Sequence, residues 1–113
     1  MLKIYHNSRC GKSREAIEFL TQKGLEFEIV EYLKNPLTLI ELQDLIKLLQ
    51  IKPIDLIRTK EKIWQENFKN KDFSDIELIN IIVQNPILIE RPIVVNGEKA
   101  IIARPKELIN NIL

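Results

Sequence analysis

The sequence predicts an α/β fold in which a βαβ unit and a ββα unit share a mixed sheet and a helical segment is inserted between them. Three observations predict it. The opening stretch through Tyr32 reads strand, loop, helix, strand; the middle, approximately residues 38–86, reads as helical; and two β-branched runs flank Asn96-Gly97 ahead of a last helical pattern.

Leu2–Tyr5 is apolar and aromatic, which favours a strand, and Asn7 and Ser8 then introduce turn formers. From Gly11 the apolar residues Ile17, Phe19 and Leu20 alternate with charged ones at helical spacing, and Gly24 stands where a helix C-cap belongs. Phe27–Tyr32 is β-branched and aromatic, a second strand that a right-handed crossover makes parallel to the first. The loop after the first strand then lies at the carboxyl edge of the sheet, where open α/β folds place ligands.

Thr38 with Glu41, and Ser74 with Glu77, form capping-box patterns ahead of apolar helical faces, and Pro53 and Pro86 end those helices. Ile93–Val95 and Ala100–Ile102 read as a hairpin about Asn96-Gly97. Pro105 opens a terminal helix carrying Leu108, Ile109 and Ile112.

At 113 residues the chain suits one domain, and 45% hydrophobic with 29% charged residues is an ordinary globular composition. Its single cysteine excludes an internal disulfide and a cysteine-rich zinc site and fits a reducing compartment. There is no apolar leader and no run approaching the roughly 20 residues that span a bilayer. A cytoplasmic location is therefore expected. With a net charge of +1, nothing in the overall balance asks for nucleic acid or an anionic membrane.

Cys10 sits at a strand-to-helix junction among His6, Arg9, Lys12, Ser13 and Arg14. A free cysteine, with a pKa of about 8.5, is only ~3% thiolate at neutral pH. A helix N-terminus supplies ~0.3–1 kcal/mol, less than the ~1.4 kcal/mol of one pKa unit. Further N–H donors and cations must do the rest; the competing reading is an inert core thiol. A Cys-x-x-Cys pair is absent because Ser13 holds the fourth position, and Ala16 stands where a phosphatase-type anion loop places arginine. Redox chemistry at Cys10 therefore needs an external thiol.

His6-Asn7-Ser8-Arg9-Cys10-Gly11-Lys12-Ser13-Arg14 resembles the His-Asn-Pro-x-Cys-x-x-Ser-Arg signature of the glutaredoxin-dependent arsenate reductase (ArsC) family. Leu56–Glu61 resembles its Leu-x-Arg-x-Lys-Glu motif, Leu88–Val94 its Leu-Ile-Glu-Arg-Pro-Ile-Val motif, and Ala103-Arg104-Pro105 its Gly-Arg-Pro segment. The four motifs come in family order across the chain. Ser8 replaces the signature proline, and Ala103 the usual glycine.

The resemblance implies a thioredoxin-like fold, a cis Arg91–Pro92 bond facing the cysteine, and a Cys10 thiolate that attacks arsenate. It implies that Arg58, Arg91 and Arg104 bind the oxyanion, which suits the planar, permanently charged guanidinium fork. It further implies that His6 tunes the thiolate, that Ser13 and Pro92 support the site, and that glutathione and glutaredoxin complete turnover. No bound cofactor or metal is expected; glutathione serves as an external co-substrate. Plainer readings stand beside these. His6 can be a strand-end residue satisfied by backbone, Ser13 a first-turn helix residue, and the three arginines surface ion-pair partners of Glu61, Glu90 or Glu107. Arg14 can pair with helix-face carboxylates, and Trp64, Phe68 and Phe73 read as packing residues. At the level of function, the alternatives are a glutathione-dependent thiol reductase with another substrate and an Spx-like regulator that binds RNA polymerase.

Overall fold

Four short strands, β1 (Leu2–Tyr5), β2 (Phe27–Val30), β3 (Ile93–Asn96) and β4 (Lys99–Ile102), form one sheet in the order β2-β1-β3-β4. This computed structural model describes Leu2–Leu113; Met1 lies outside the described residues. β1 pairs parallel with β2 and antiparallel with β3, and β3 pairs antiparallel with β4, so the sheet is mixed as the sequence predicts.

Two units are distinguishable, Met1–Asn35 with Arg91–Leu113, and Pro36–Glu90. In the first, α1 (Gly11–Gln22) buries Ala16 and Leu20 in one cluster with Leu2 and Ile4 of β1 and Val94 of β3. Ala103, Ile109 and Ile112 complete that cluster. Gly24 ends the helix with a left-handed φ of +70°, its N–H donating to the Thr21 carbonyl. β2 stops at Val30, two residues before the expected end, because the Glu31 carbonyl accepts the N–H groups of Lys34 and Asn35 and starts a turn. The hairpin turns on Gly97-Glu98, with Gly97 at φ +62° in the position a type II′ turn reserves for glycine.

The terminal segment Lys106–Ile112 winds as a 3-10 helix, tighter than an α-helix. Residues three apart eclipse in that geometry, which puts Ile109 and Ile112 on the same buried face. Asn96 Nδ2 donates to the Ile112 carbonyl at 2.6 Å and ties the hairpin to this segment.

In the second unit, α2 (Leu39–Leu49) and α4 (Asp75–Gln84) begin at the two expected capping boxes: Glu41 N–H donates to Thr38 Oγ1 at 3.2 Å and Glu77 N–H to Ser74 Oγ at 3.3 Å. The returning bonds, Thr38 N–H to Glu41 and Ser74 N–H to Glu77, are 3.0 and 2.8 Å. Leu42, Leu45, Ile46 and Leu49 of α2 and Leu78, Ile79 and Ile82 of α4 are buried. Trp64, on the short α3 (Lys62–Asn67), clusters with Phe68 and Phe73 at ring-centroid distances of 5.6 and 6.3 Å, as packing residues do.

The middle is not wholly helical. Ile57 and Ile89 form an antiparallel bridge, flanked by Arg58 N–H to Leu88 carbonyl and Glu90 N–H to Leu56 carbonyl bonds of 2.7 Å each. No helix among the described residues is long and apolar enough to cross a membrane.

Candidate active site

Strand register brings several segments to one edge of the sheet. Tyr5 pairs with Val30 in β2 and with Ile93 in β3, and Ile93 pairs with Ile102 in β4. The residues just beyond those four ends therefore share that edge: the loop His6–Cys10, Glu31, Arg91-Pro92 and Ala103-Arg104. The Ala103 N–H donates to the Pro92 carbonyl at 2.8 Å and fastens two of these segments together.

The loop before α1 is a hydrogen-bonded turn in which the Cys10 N–H donates to the Asn7 carbonyl at 2.9 Å. Ser8 therefore occupies the second position of a β-turn, the position proline favours. Other bonds hold the turn with serine there. Asn7 Oδ1 accepts the Arg9 N–H at 3.0 Å, Arg14 Nη1 donates to the Ser8 carbonyl at 3.0 Å, and Ser13 Oγ accepts the Asn7 N–H at 3.4 Å. Asn7, buried and bonded on both sides, is the site residue that the sequence reading treated only as a turn former; an asparagine that folds back on its own backbone is the signal that could have singled it out. Arg14 braces the turn instead of pairing with a carboxylate.

Cys10 is the N-cap residue of α1, with extended φ and ψ of −95° and 121°. The N-cap position faces the unpaired N–H groups of the second and third helical residues, here Lys12 and Ser13. Cys10 is 7% exposed, and burial pushes its thiol up. The Ser13 N–H, the Arg91 charge, the Lys12 N–H and a hydrogen bond from the Arg91 side chain outweigh that, and the thiol lies below its ordinary value.

Arg91 has a second property. Its Nε and Nη1 are buried and have no hydrogen-bond partner. Unpaired buried donors cost free energy and mark a place where an acceptor is favoured. The Arg91–Pro92 bond is cis, as expected from the resemblance, and so is Arg104–Pro105, which was not anticipated. Pro92 is fully buried.

Arg104 follows β4 on the same edge and makes no ion pair among the described residues. Arg58 belongs to the other unit, where its Nη1 is paired with Glu61 and its Nε with Glu90 at 3.5 Å. The ion-pair reading thus describes the surroundings of Arg58 and not those of Arg91 or Arg104. His6 is buried, and burial lowers its pKa below the imidazole value, with Glu31 opposing and Arg14 assisting; its Nδ1 has no hydrogen-bond partner. Ser13 is fully buried and, besides accepting from Asn7, offers its N–H toward the sulfur.

Known proteins are similar to this chain over nearly its whole length. An arsenate reductase of Haemophilus influenzae is 43% identical over 112 residues, covering 97% of each chain. YfgD of Escherichia coli, described as uncharacterized, is 44% identical over 114 residues, covering 99% of this chain and 96% of that one. The solved structure of an arsenate reductase from Vibrio cholerae superposes with a TM-score of 0.93 at 35% identity, covering 99% of this chain and 97% of the other, and the fold is thioredoxin-like. The sequence profile of the ArsC family matches residues 5–112. With the four motifs in order, the cysteine at the sheet edge and this match along nearly the whole length, the chain belongs to the ArsC family.

Proposed function

We propose that the chain is an arsenate reductase in which Cys10 is the nucleophile and Arg91 the principal anion ligand. The observation that carries this reading is the pair of buried, unpartnered donors, Nε and Nη1, on the guanidinium that also lowers the Cys10 pKa. One side chain thereby favours the thiolate and offers two unpartnered nitrogen donors and a permanent charge to an oxyanion.

Arsenate at neutral pH is an anion, and a thiolate approaching it is repelled unless cations offset its charge. Arg91 does so from the side of the sulfur, and Arg104 lies on the same sheet edge. The resemblance of Leu56–Glu61 to the family motif implies the same role for Arg58. Cys10 sulfur bonds to arsenic, and an arsenate oxygen leaves as water after taking up protons. Glutathione sulfur then bonds to arsenic as a second oxygen leaves as water. A glutaredoxin thiolate attacks that glutathione sulfur; the S–As bond breaks as the S–S bond forms, and the electron pair stays on arsenic, which becomes As(III) bound to Cys10. Water displaces the Cys10 sulfur, releasing arsenite and returning the thiol, and further glutathione reduces the glutaredoxin–glutathione disulfide. His6, buried with its Nδ1 unpaired, tunes the loop around the sulfur, while Ser13 and Pro92 hold its surroundings.

The test is arsenate reduction with glutathione and glutaredoxin by wild type and Cys10→Ser. Wild type should turn over and the serine variant should be inactive while keeping its circular dichroism spectrum. Arsenite production at the wild-type rate by the folded serine variant overturns the mechanism. A wild type that exchanges thiols at Cys10 but leaves arsenate unreduced points to the thiol reductase with another substrate.

A further inference from the structure

A small cavity of about 140 Å³ in the sheet unit is lined by Lys12, Glu15, Ala103, Pro105, Lys106 and Glu107. Two segments form it, the first turns of α1 and the chain that follows β4. Each contributes one ammonium and one carboxylate. Lys12 and Glu15 stand 3.5 Å apart on the helix side, and Lys106 and Glu107 are consecutive on the other. Ala103 and Pro105 add apolar lining.

Its position relates it to the reacting sulfur. Lys12 is the residue whose N–H favours the Cys10 thiolate, and Ala103 is bonded to Pro92, the neighbour of Arg91. The cavity is smaller than the roughly 300–1,000 Å³ of sites that enclose a drug-sized ligand, so it would take one arm of a ligand whose remainder lies outside it. A lining with both charge signs on both walls selects an arm that itself carries both signs.

We infer that this cavity docks the zwitterionic end of the peptide thiol that attacks at Cys10, with Lys106 and Lys12 receiving its carboxylate and Glu107 and Glu15 its ammonium. The inference rests on the proposed function for the identity of the thiol as glutathione and gives that co-substrate a place. A simple thiol without charged ends has nothing to gain from this lining. An α-amino acid head, as at the glutamyl end of glutathione, has one group for each charge sign of the lining.

The experiment is thiol–disulfide exchange without arsenate. The Cys10 thiolate attacks glutathione disulfide, one S–S bond breaks as the Cys10–glutathione bond forms, and one glutathione thiolate leaves, with no net oxidation. The rate is compared with that for hydroxyethyl disulfide, which is uncharged, in wild type and in Lys106→Glu. Reversing one partly exposed charge should slow the glutathione disulfide reaction about fivefold and leave the hydroxyethyl disulfide rate unchanged, which also shows that the variant is folded and its thiolate intact. Glutathione disulfide esterified at its carboxylates, which keeps only its ammonium groups, should react with Lys106→Glu at least as fast as with wild type. An unchanged glutathione disulfide rate in Lys106→Glu, or equal slowing of both disulfides, overturns the assignment. Because arsenate takes no part, failure of arsenate turnover in the wild type would sink the proposed function without touching this result.

Discussion

Replacing Arg91 by lysine keeps the charge and removes the fork, which separates the two things this residue is proposed to do. In the wild type, Nε and Nη1 are buried donors without partners, and the same guanidinium favours the Cys10 thiolate. A lysine ammonium is a single centre and cannot serve an oxyanion and the sulfur from the separate nitrogens a guanidinium provides. At least one charge-assisted bond to arsenate is therefore lost, at about 1.5–3 kcal/mol, which corresponds to about 10- to 150-fold in dissociation constant. The assay should not depend on turnover. Arsenate protection of Cys10 against alkylation by iodoacetamide reports binding directly, and running each protein at the pH where half its thiol is ionised removes any difference in thiolate fraction. Wild-type protection should then require about 10-fold or more less arsenate than Arg91→Lys. Equal protection of the two proteins at the same arsenate concentration would refute the guanidinium fork as the anion site.

Two further outcomes concern the fold around the site. His6 is buried with a pKa below its ordinary value of 6.5, so the unfolded chain binds the proton more readily. Its contribution to stability is present above that value and is lost as pH falls through it, so denaturant titrations across this range should show a shallower decline in His6→Gln than in wild type; parallel curves would contradict the buried neutral imidazole. Leu20→Ala deletes a fully buried side chain from the cluster beneath α1, and urea midpoints should report a loss of about 2–5 kcal/mol with an unchanged denaturant slope, whereas a loss near zero would mean that this core closes over the gap.

Much of the scaffold was legible because it rests on local rules. The capping boxes at Thr38 and Ser74 form as the spacing of serine or threonine to glutamate requires, and the glycine at 24 ends α1 by taking the left-handed conformation. What was misread depended on non-local or competing bonds. β2 ends early because the Glu31 carbonyl is taken by the following turn. The bridge between Ile57 and Ile89 joins residues far apart in sequence, and periodicity cannot report such a pair. The last segment shows the limit of apolar spacing as a guide: positions 109 and 112 suit an α-helix and a 3-10 helix alike, and the chain takes the tighter winding.

The site was legible in its parts and less so in its assembly. Local sequence supplies Cys10 with the two N–H groups of the first helical turn, but burial works against the thiolate, and Arg91 from the other end of the chain adds both charge and a hydrogen bond. The placement of Arg91 follows from register. Ile4 of β1 and Val94 of β3 pair directly and are both buried in the core beneath α1. A slip of one residue would turn Val94 out of that core and carry the residues preceding β3 to a different position along the edge, because side chains alternate with period two. Apolar packing in the sheet therefore holds the guanidinium at the sulfur. A core substitution that permitted such a slip would then impair thiolate formation while leaving every reacting group in the sequence.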